Sequence, residues 1–342
     1  MKYFHYKQPF ELETGGILKE LTVAYHTYGK LNAERNNVIW ICHALTANSD
    51  AAEWWKGMVG ENEIFNTGEY FVVCANILGS CYGTTGPLST NPATSKPYYH
   101  NFPFITIRDM VKAHQFLAEH LEINSISLLV GGSMGGYQAL EWAAMKPSFV
   151  KSLFLITTSA HESPWGIAIH TTQRLAIEAD QTWKEHSQNA GHRGLKVARG
   201  IGMITYRSYK TYDLTQKETD LNKIDDFKAS SYINYQGDKL VNRFNAYSYW
   251  LLTKAMDSHN LARGRSEKLE EVLQSITQPA LIIGIVSDML CPLQELKYLA
   301  DNMPNSTYAE IDSSYGHDGF LVEVETISGH LAGWMKGAKV EE

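Results

Sequence analysis

The sequence lacks the long apolar runs that a membrane-spanning helix needs, which are about 20 residues in length. Its most apolar stretches, such as ALIIGIV at 280–286, have only the length of a strand. Residues 1–16 also contain no apolar segment of the kind found in a secretory signal peptide. We therefore expect a cytoplasmic protein that has no membrane partner.

Cysteine and basic charge are also sparse. The chain of 342 residues has four cysteines, Cys42, Cys74, Cys81 and Cys291, and no C-x-x-C pair. This spacing predicts neither a disulfide framework nor a metal site. Cys42 and Cys74 end apolar runs, where buried thiols are expected. A net charge of −7 without a Lys/Arg-rich run argues against a nucleic-acid partner.

The sequence does contain an alternation of buried strands and helices. Apolar runs without polar alternation are typical of parallel strands that are covered on both faces. They occur at 36–42, 70–75, 125–130, 151–157, 278–286 and 307–311. Helical spacing fills 106–121, which starts with the capping-box pair Thr106 and Asp109, then 136–147 and the residues after Pro292. This order predicts an α/β fold with a mostly parallel sheet flanked by helices.

The strand pattern is interrupted between about 161 and 270. Apolar residues there follow helical spacing, first in Leu175, Ala179 and Trp183 and then in Leu240, Phe244, Tyr247, Leu251 and Ala255. The strand pattern returns at 278. We therefore predict a core domain made of 1–160 and 271–342, with 161–270 inserted as a helical domain.

A glycine-rich turn joins the strand at 125–130 to the next helix. Its sequence, GGSMG at 131–135, fits G-x-S-x-G, the pattern of a nucleophile elbow, and places Ser133 at the turn. Glycines are needed because the turn is too sharp for neighbouring side chains. A serine held there faces a helix N-terminus, where amides favour negative charge. The alternative is a tightly packed or phosphate-binding turn.

A serine nucleophile needs a base, and the base needs an acid that orients it. On this fold the chain order is serine, acid, histidine. Asp288 follows the strand at 278–286, and His317 follows the strand at 307–311. Both lie in loops at the ends of strands, where such sheets form their active sites. Asp312 is the rival acid, although it follows the wrong strand, and Asp257 lies in a helical pattern.

The reaction of a serine nucleophile also needs two donors for the oxyanion. The backbone N–H of Met134, directly after the serine, is the first. The second should come from the loop after an early strand, and we assign it to the amide of Leu45 in HALTANSD, with the Thr46 hydroxyl as an adjacent alternative.

Together with these residues, blocks along nearly the whole chain resemble the homoserine O-acetyltransferase family of the α/β-hydrolase superfamily. The blocks are, in order, AYHTYGKLN (24–32), CHALTA (42–47), GSCYGTTGP (79–87), NPATSKPY (91–98), FPFITIRDMV (102–111), GGSMGGYQALEWA (131–143), ITYRS (204–208), YQGDKLVNRFNAYSYWLLTKAMD (235–257), SDMLCP (287–292) and GHDGF (316–320). Such a series is far more specific than the elbow alone.

The resemblance implies an α/β-hydrolase fold and ping-pong acyl transfer. Acetyl-CoA, a substrate and not a bound cofactor, would acylate Ser133 with His317 as base. L-Homoserine would then take the acetyl group, giving O-acetyl-L-homoserine for methionine biosynthesis. By the same resemblance, Arg199 binds the homoserine carboxylate, Tyr206 faces the same way and Asp318 holds the ammonium group. Activity should fall near pH ~6.5 unless the pKa of His317 is shifted.

The resemblance also implies that 161–270 is a helical lid, which excludes water from the site and forms a homodimer contact. The chain departs from the family at Ala47, where many members have Gly, and at Tyr137, where many have Met. Because both positions bear on the acyl pocket, transfer of a succinyl group and transfer to serine stay open. The same triad would also suit an esterase or a thioesterase, and the fold would suit a non-catalytic binding protein.

Overall fold

The computed structural model describes residues 1–338 and contains one large sheet with helices on both faces. The strands are β1 Lys2–Tyr6, β2 Phe10–Glu11, β3 Ile17–Leu18, β4 Leu21–Tyr28, β5 Val38–Cys42, β6 Val59–Gly60, β7 Phe65–Asn66, β8 Phe71–Ala75, β9 Thr90–Asn91, β10 Lys96–Pro97, β11 Ile126–Gly132, β12 Leu153–Ile156, β13 Ala280–Ile285 and β14 Ser306–Ile311. The helices are α1 Ala51–Trp54, α2 Ile107–His120, α3 Met134–Met145, α4 Pro164–Glu178, α5 His192–Tyr206, α6 Tyr209–Gln216, α7 Lys228–Val241, α8 Ala246–Asp257, α9 Leu269–Gln274, α10 Leu293–Asn302, α11 Gly319–Val322 and α12 Val324–Ala338. Short 3-10 turns lie at 99–101 and 316–318.

The large sheet has eight strands in the order β1-β4-β8-β5-β11-β12-β13-β14. The strands pair in parallel from β8 to β14, and they include all six strands predicted from the sequence. At the other edge, β1 pairs antiparallel with β4, and β4 pairs antiparallel with β8. The sequence pattern did not indicate β1 and β4, because polar residues break up their apolar ones. The mostly parallel α/β sheet is confirmed.

Alternate residues of each strand enter two separate cores, one on each face of the sheet. Trp40 of β5 packs with Trp142 of α3 on one face, whereas Ile39 and Ile41 face the other. Ile327 of α12 belongs to that second core. Burial on both faces explains why the strands read as unbroken apolar runs.

Three helices of the core begin at or within two residues of the predicted positions. Thr106 caps α2, and the reciprocal bonds of a capping box with Asp109 are present. Helix α3 follows Ser133 directly, two residues earlier than the helical pattern indicated. Pro292 is the residue before α10, whose Leu296 and Leu299 are buried. These caps fix the loops that carry the site.

Six helices, α4 to α9, lie between β12 and β13, but two helical predictions there were wrong in detail. Helix α4 ends at Glu178, so Trp183 lies in a later turn and Leu175 is exposed. The apolar series from 240 to 255 spans two helices, because the Asn245 side chain accepts from the amides of Tyr247 and Ser248 and starts α8 anew. The absence of sheet strands from this segment agrees with the sequence pattern, whereas the domain boundaries stay a prediction.

All four cysteines are free thiols, and Cys42 and Cys74 are buried as expected. Burial raises the pKa of both thiols, which keeps them protonated. Among residues 1–338, no helix combines the length and the apolar character needed to cross a membrane.

Candidate active site

Ser133 occupies a strained turn between β11 and α3. Its backbone has φ 55° and ψ −130°, a combination that side-chain-bearing residues rarely adopt. The turn is held because the Ser133 amide lies 3.1 Å from the carbonyl oxygens of both Ile156 and Thr157, at the end of β12. The strand, turn and helix that the G-x-S-x-G pattern predicts are therefore present.

The glycines of the turn are required by close backbone approaches. A Cβ on Gly135 would lie 2.0 Å from the carbonyl oxygen of Cys42, at the end of β5. A Cβ on Gly131 would lie 2.3 Å from the carbonyl oxygen of Gly135 itself. Only glycine lets α3 start this close to the sheet, which is why Ser133 is surrounded by glycines.

The structure brings Ser133, His317 and Asp288 into one hydrogen-bonded chain. His317 Nε2 lies 2.9 Å from Ser133 Oγ, and His317 Nδ1 lies 2.8 Å from Asp288 Oδ2. The other carboxylate oxygen of Asp288 accepts from the amides of Leu290 at 2.8 Å and Cys291 at 3.0 Å. The side chains of Ser133, His317 and Asp288 are all buried. Such a chain can move a proton from the hydroxyl to the imidazole.

The two rival acids lie elsewhere. Asp312 is exposed. Asp257 accepts a hydrogen bond from His170 Nδ1 at 2.9 Å and pairs with Arg174, so its carboxylate is already engaged on α4. Neither acid is hydrogen-bonded to His317.

The pKa of His317 reflects two opposing effects. Burial of the imidazole lowers it, but the charge and hydrogen bond of Asp288 raise it, with help from the charges of Asp318 and Glu162. The net pKa lies above the ordinary value of 6.5. The imidazole is therefore a stronger base than a free histidine.

The two assigned oxyanion donors are the residue after Ser133 and a residue of the loop after β5. Met134 is the first residue of α3, and Leu45 is buried in the loop after β5. That loop packs on α3, where Gln138 Nε2 donates to the His43 carbonyl at 3.2 Å. Within residues 1–338, neither the Leu45 nor the Met134 amide donates a hydrogen bond. The Thr46 hydroxyl, by contrast, accepts from Arg243 Nη2 at 3.3 Å.

Helix α5 places Arg199 and Tyr206 over the triad. The Arg199 guanidinium lies 5.5 Å from the centre of the Tyr206 ring, and that ring lies 5.9 Å from the ring of His317. Asp318 directly follows His317 in the chain and is partly buried. Arg199 thus lies over a ring that is close to His317, and the acidic Asp318 lies next to His317 in the chain.

Sequence reasoning missed Arg207, which pairs with Asp318. Arg207 Nε lies 2.9 Å from Asp318 Oδ2. Its position directly after Tyr206, in the block ITYRS, could have indicated that Arg207 lies near the site. The sequence did not indicate that Asp318 is its partner.

Glu162 and Tyr137 form a second contact that the sequence did not indicate. The Tyr137 hydroxyl donates to Glu162 Oε2 at 3.1 Å, one helical turn after Ser133. Burial is the main cause that raises the pKa of the Glu162 carboxyl. Its position near Tyr137 places a polar group where the acyl pocket was expected, and no sequence motif marks it.

One group of side chains has the spacing of metal ligands. Ligand atoms of Asp288, Cys291 and His317 lie within 4.8 Å of one another. However, Asp288 and His317 already share a hydrogen bond. Burial, followed by the charge of Asp288, raises the pKa of the Cys291 thiol well above its usual range, which disfavours the thiolate that a metal needs. The donor set suits proton transfer better than metal binding.

Comparison with known proteins agrees with this geometry. The sequence profile of the α/β-hydrolase fold family matches residues 37–324. The chain is 46% identical over 324 residues to a homoserine O-acetyltransferase of Cyclobacterium marinum, covering 95% of this chain and 92% of the relative.

Two solved structures are also similar. The crystal structure of homoserine O-acetyltransferase from Bacillus anthracis has a TM-score of 0.90 at 25% identity, covering 97% of this chain and 96% of that one. The crystal structure of esterase E22 has a TM-score of 0.88 at 24% identity, covering 97% and 98%, and this likeness shows the fold alone. The chain therefore belongs to the homoserine O-acetyltransferase family of acyltransferases, within the α/β-hydrolase fold.

Proposed function

We propose that this enzyme transfers an acetyl group from acetyl-CoA to the hydroxyl of L-homoserine by a ping-pong mechanism. The observation that supports it best is the position of Arg199, Tyr206 and Asp318 beside a Ser133–His317 hydrogen bond. This arrangement combines a nucleophile with opposite charges that fit the two ionised ends of an amino acid. The product, O-acetyl-L-homoserine, would serve methionine biosynthesis in the cytoplasm.

In the first half-reaction, Ser133 becomes acylated. His317 Nε2 takes the hydroxyl proton as Ser133 Oγ attacks the thioester carbonyl, since the two atoms are 2.9 Å apart. The amides of Met134 and Leu45 stabilise the oxyanion, at the N-terminal end of α3 where the helix dipole also favours negative charge. The intermediate then collapses, the C–S bond breaks, and His317 returns the proton to the leaving thiolate of coenzyme A.

In the second half-reaction, the homoserine hydroxyl replaces the thiol. His317 takes its proton, the hydroxyl oxygen attacks the acyl carbonyl, and the bond to Ser133 Oγ breaks as the proton returns to that oxygen. Asp288 keeps the Nδ1 proton of His317 on its own side at 2.8 Å, so that Nε2 is free to act as base in both halves. Acetyl-CoA is a substrate whose coenzyme A leaves as the first product, and no bound cofactor is needed.

The binding of homoserine follows from the charges around the triad. The Arg199 guanidinium can hold the carboxylate through two parallel hydrogen bonds. Asp318 offers its carboxylate to the ammonium group, and the Tyr206 ring contacts Arg199 on one side and lies 5.9 Å from the His317 ring. A simple ester lacks both charges and would gain nothing from this arrangement.

We further propose that residues 161–270 act as a lid and form a homodimer contact. Ser133 is only 8% exposed, which is consistent with a narrow approach that excludes water. Within this segment, Val197 and Ile204 of α5 and Tyr235 of α7 are exposed apolar side chains. Val197 also lines a groove of about 310 Å³ between the two helices. A second copy of the chain would cover this surface, which light scattering of the eluted protein would test.

Two alternatives keep the triad and change the substrate. The Tyr137–Glu162 contact and Ala47 bear on the acyl pocket, so that succinyl-CoA as donor and serine as acceptor remain to be compared. The second alternative is hydrolysis, and the similar fold of an esterase gives it a structural basis. Arg199 and Asp318 favour transfer, because water needs neither charge.

The test is release of free thiol from acetyl-CoA and from succinyl-CoA, each with L-homoserine, with L-serine or without an acceptor. Sustained release that requires acetyl-CoA and homoserine supports the proposal. A preference for succinyl-CoA or serine would keep the mechanism and change the substrates. Sustained release that ignores the acceptor would identify a hydrolase and overturn the proposed binding roles.

A further inference from the structure

The loop that carries His317 is held by the segment that joins α5 to α6. We call this contact the lid seam, formed by residues 206–211 against residues 313–318. The hydroxyls of Ser208 and Thr211 both donate to the carbonyl of Ser314. Gly316 has φ 64°, and a Cβ there would lie 2.9 Å from the Tyr206 carbonyl oxygen. The seam is therefore a fixed backbone contact, on which a side-chain pair can be positioned.

The ion pair of Arg207 and Asp318 lies within this seam. Arg207 Nε and Asp318 Oδ2 are 2.9 Å apart, with side chains 22% and 17% exposed. The Arg207 guanidinium also lies 5.5 Å from the centre of the Tyr315 ring. Contact with a carboxylate and with a ring leaves the Arg207 side chain little freedom. The Asp318 carboxylate is thus held beside His317 by a partner from the inserted helices.

We propose that Arg207 is a positioning residue for the amino-acid acceptor: through its ion pair it holds the Asp318 carboxylate in place, as a charged group, for the substrate ammonium. The inference rests on the proposed function, because it assigns a role to Arg207 in homoserine binding. It also assigns different roles to two guanidinium groups. Arg199, stacked on Tyr206, is left for the substrate carboxylate, whereas Arg207 acts only through Asp318.

The electrostatics of Asp318 explain why such a partner is needed. Burial raises the pKa of its carboxyl, and Arg207 is the first of the groups that oppose this rise, followed by Arg199 and His317. Without Arg207, the pKa would rise further, and Asp318 would ionise only at a higher pH. A neutral carboxyl attracts an ammonium group poorly. When Arg207 is absent, homoserine binding should therefore strengthen as the pH rises and Asp318 ionises. When Arg207 is present, this pH dependence should be missing.

Several charged or titratable groups face Asp318, and each bears on this pH dependence. They are Arg207 and Arg199 from the α5 side, Tyr206 and Tyr212 from the seam helices, His317 on its own loop and Asp288 from the loop after β13. Arg207 is the one that contacts Asp318 directly and has no proposed contact with substrate. Its replacement therefore isolates the effect on Asp318.

The experiment compares Arg207→Ala and Arg207→Lys with the intact enzyme and with Arg193→Ala as control. Arg193 is an exposed arginine near the start of α5, away from the seam. The burst of thiol from acetyl-CoA without acceptor reports acylation, and the KM for L-homoserine is measured between about pH 6 and pH 9. For Arg207→Ala, we expect a KM raised about tenfold at neutral pH, equivalent to the loss of one moderate charge contact. This increase should shrink toward the alkaline end of the range, as Asp318 ionises.

The expected pattern includes a burst within about threefold of that of the intact enzyme, because a contact made only with the acceptor does not affect acylation. Arg207→Lys should recover most of the affinity, since it keeps the charge. A KM as little changed as in Arg193→Ala would overturn the inference. An increase in KM that is the same at every pH, or an equal loss in the burst, would also overturn it and indicate a structural role. Failure of the intact enzyme to use homoserine would instead overturn the proposed function.

Discussion

Replacement of Asp288 by asparagine tests the hydrogen-bonded chain of Ser133, His317 and Asp288 at the residue whose carboxylate oxygens both accept hydrogen bonds. Asp288 Oδ1 accepts from two amides, of Leu290 and Cys291, at 2.8 and 3.0 Å. An asparagine can keep both bonds only by placing its carbonyl oxygen there. Its NH₂ group then faces His317 Nδ1, which lies 2.8 Å from the oxygen that it replaces. A donor in this place requires an unprotonated Nδ1, so the His317 proton moves to Nε2.

A proton on Nε2 prevents His317 from acting as base toward Ser133. We expect kcat to fall about 10⁴-fold, as loss of the orienting carboxylate does in such triads. This corresponds to about 5.5 kcal/mol of transition-state stabilisation. Because the two amide bonds survive, the free energy of unfolding should change by only about 1 kcal/mol. In this variant, the loss of activity can therefore be measured without a large loss of fold stability.

The assay measures acylation by the thiol burst and turnover by steady-state thiol release with homoserine, beside urea unfolding. Asp312→Asn is the matched control, because Asp312 is an exposed carboxylate in the loop after β14. Both half-reactions should slow together in Asp288→Asn, since His317 serves in each. A rate within about tenfold of normal would refute the reasoning. So would a comparable loss in Asp312→Asn, which would move the acid role to that residue.

Three more predictions concern the base, the acceptor site and the elbow. The acylation rate should fall as pH drops through a midpoint above 6.5, because the pKa of His317 is raised and the base must be neutral; a midpoint below 6.5 in a burst-rate profile would contradict this. Arg199→Ala should raise the KM for homoserine by about 100-fold and leave the burst nearly intact, since a bidentate charged contact is lost; a lost burst would place Arg199 in the donor site. Gly135→Ala should destabilise the fold by about 3 kcal/mol in urea unfolding, because its Cβ would lie 2.0 Å from the Cys42 carbonyl oxygen. Gly329→Ala is the control, with no atom within 4 Å of the added Cβ, and an equal loss there would contradict the steric account.

Features that depend on neighbours in the chain could be predicted from the sequence. The run before Ser133 is apolar because β11 is covered on both faces, and the glycines after it are needed for the approach of α3 to β5. Both requirements concern residues that are neighbours in the chain, and they therefore produce a recognisable local sequence pattern. The strand endings likewise pointed to Asp288 and His317 as members of one site. The resemblance to a known family added Arg199, Tyr206 and Asp318.

Only the tertiary structure showed which residues contact each other when they lie far apart in the sequence. The seam contact of Ser208 with Ser314 joins residues 106 positions apart, and the pairing of Arg207 with Asp318 depends on it. The Tyr137–Glu162 contact depends in the same way on how the inserted helices sit on the core. Amphipathic spacing predicts which side of a helix is buried, but it does not predict which loop that side packs against. The sequence by itself therefore determined the fold and predicted the nucleophile, whereas only packing showed contacts such as those of Arg207 and Glu162, which join segments far apart in the chain.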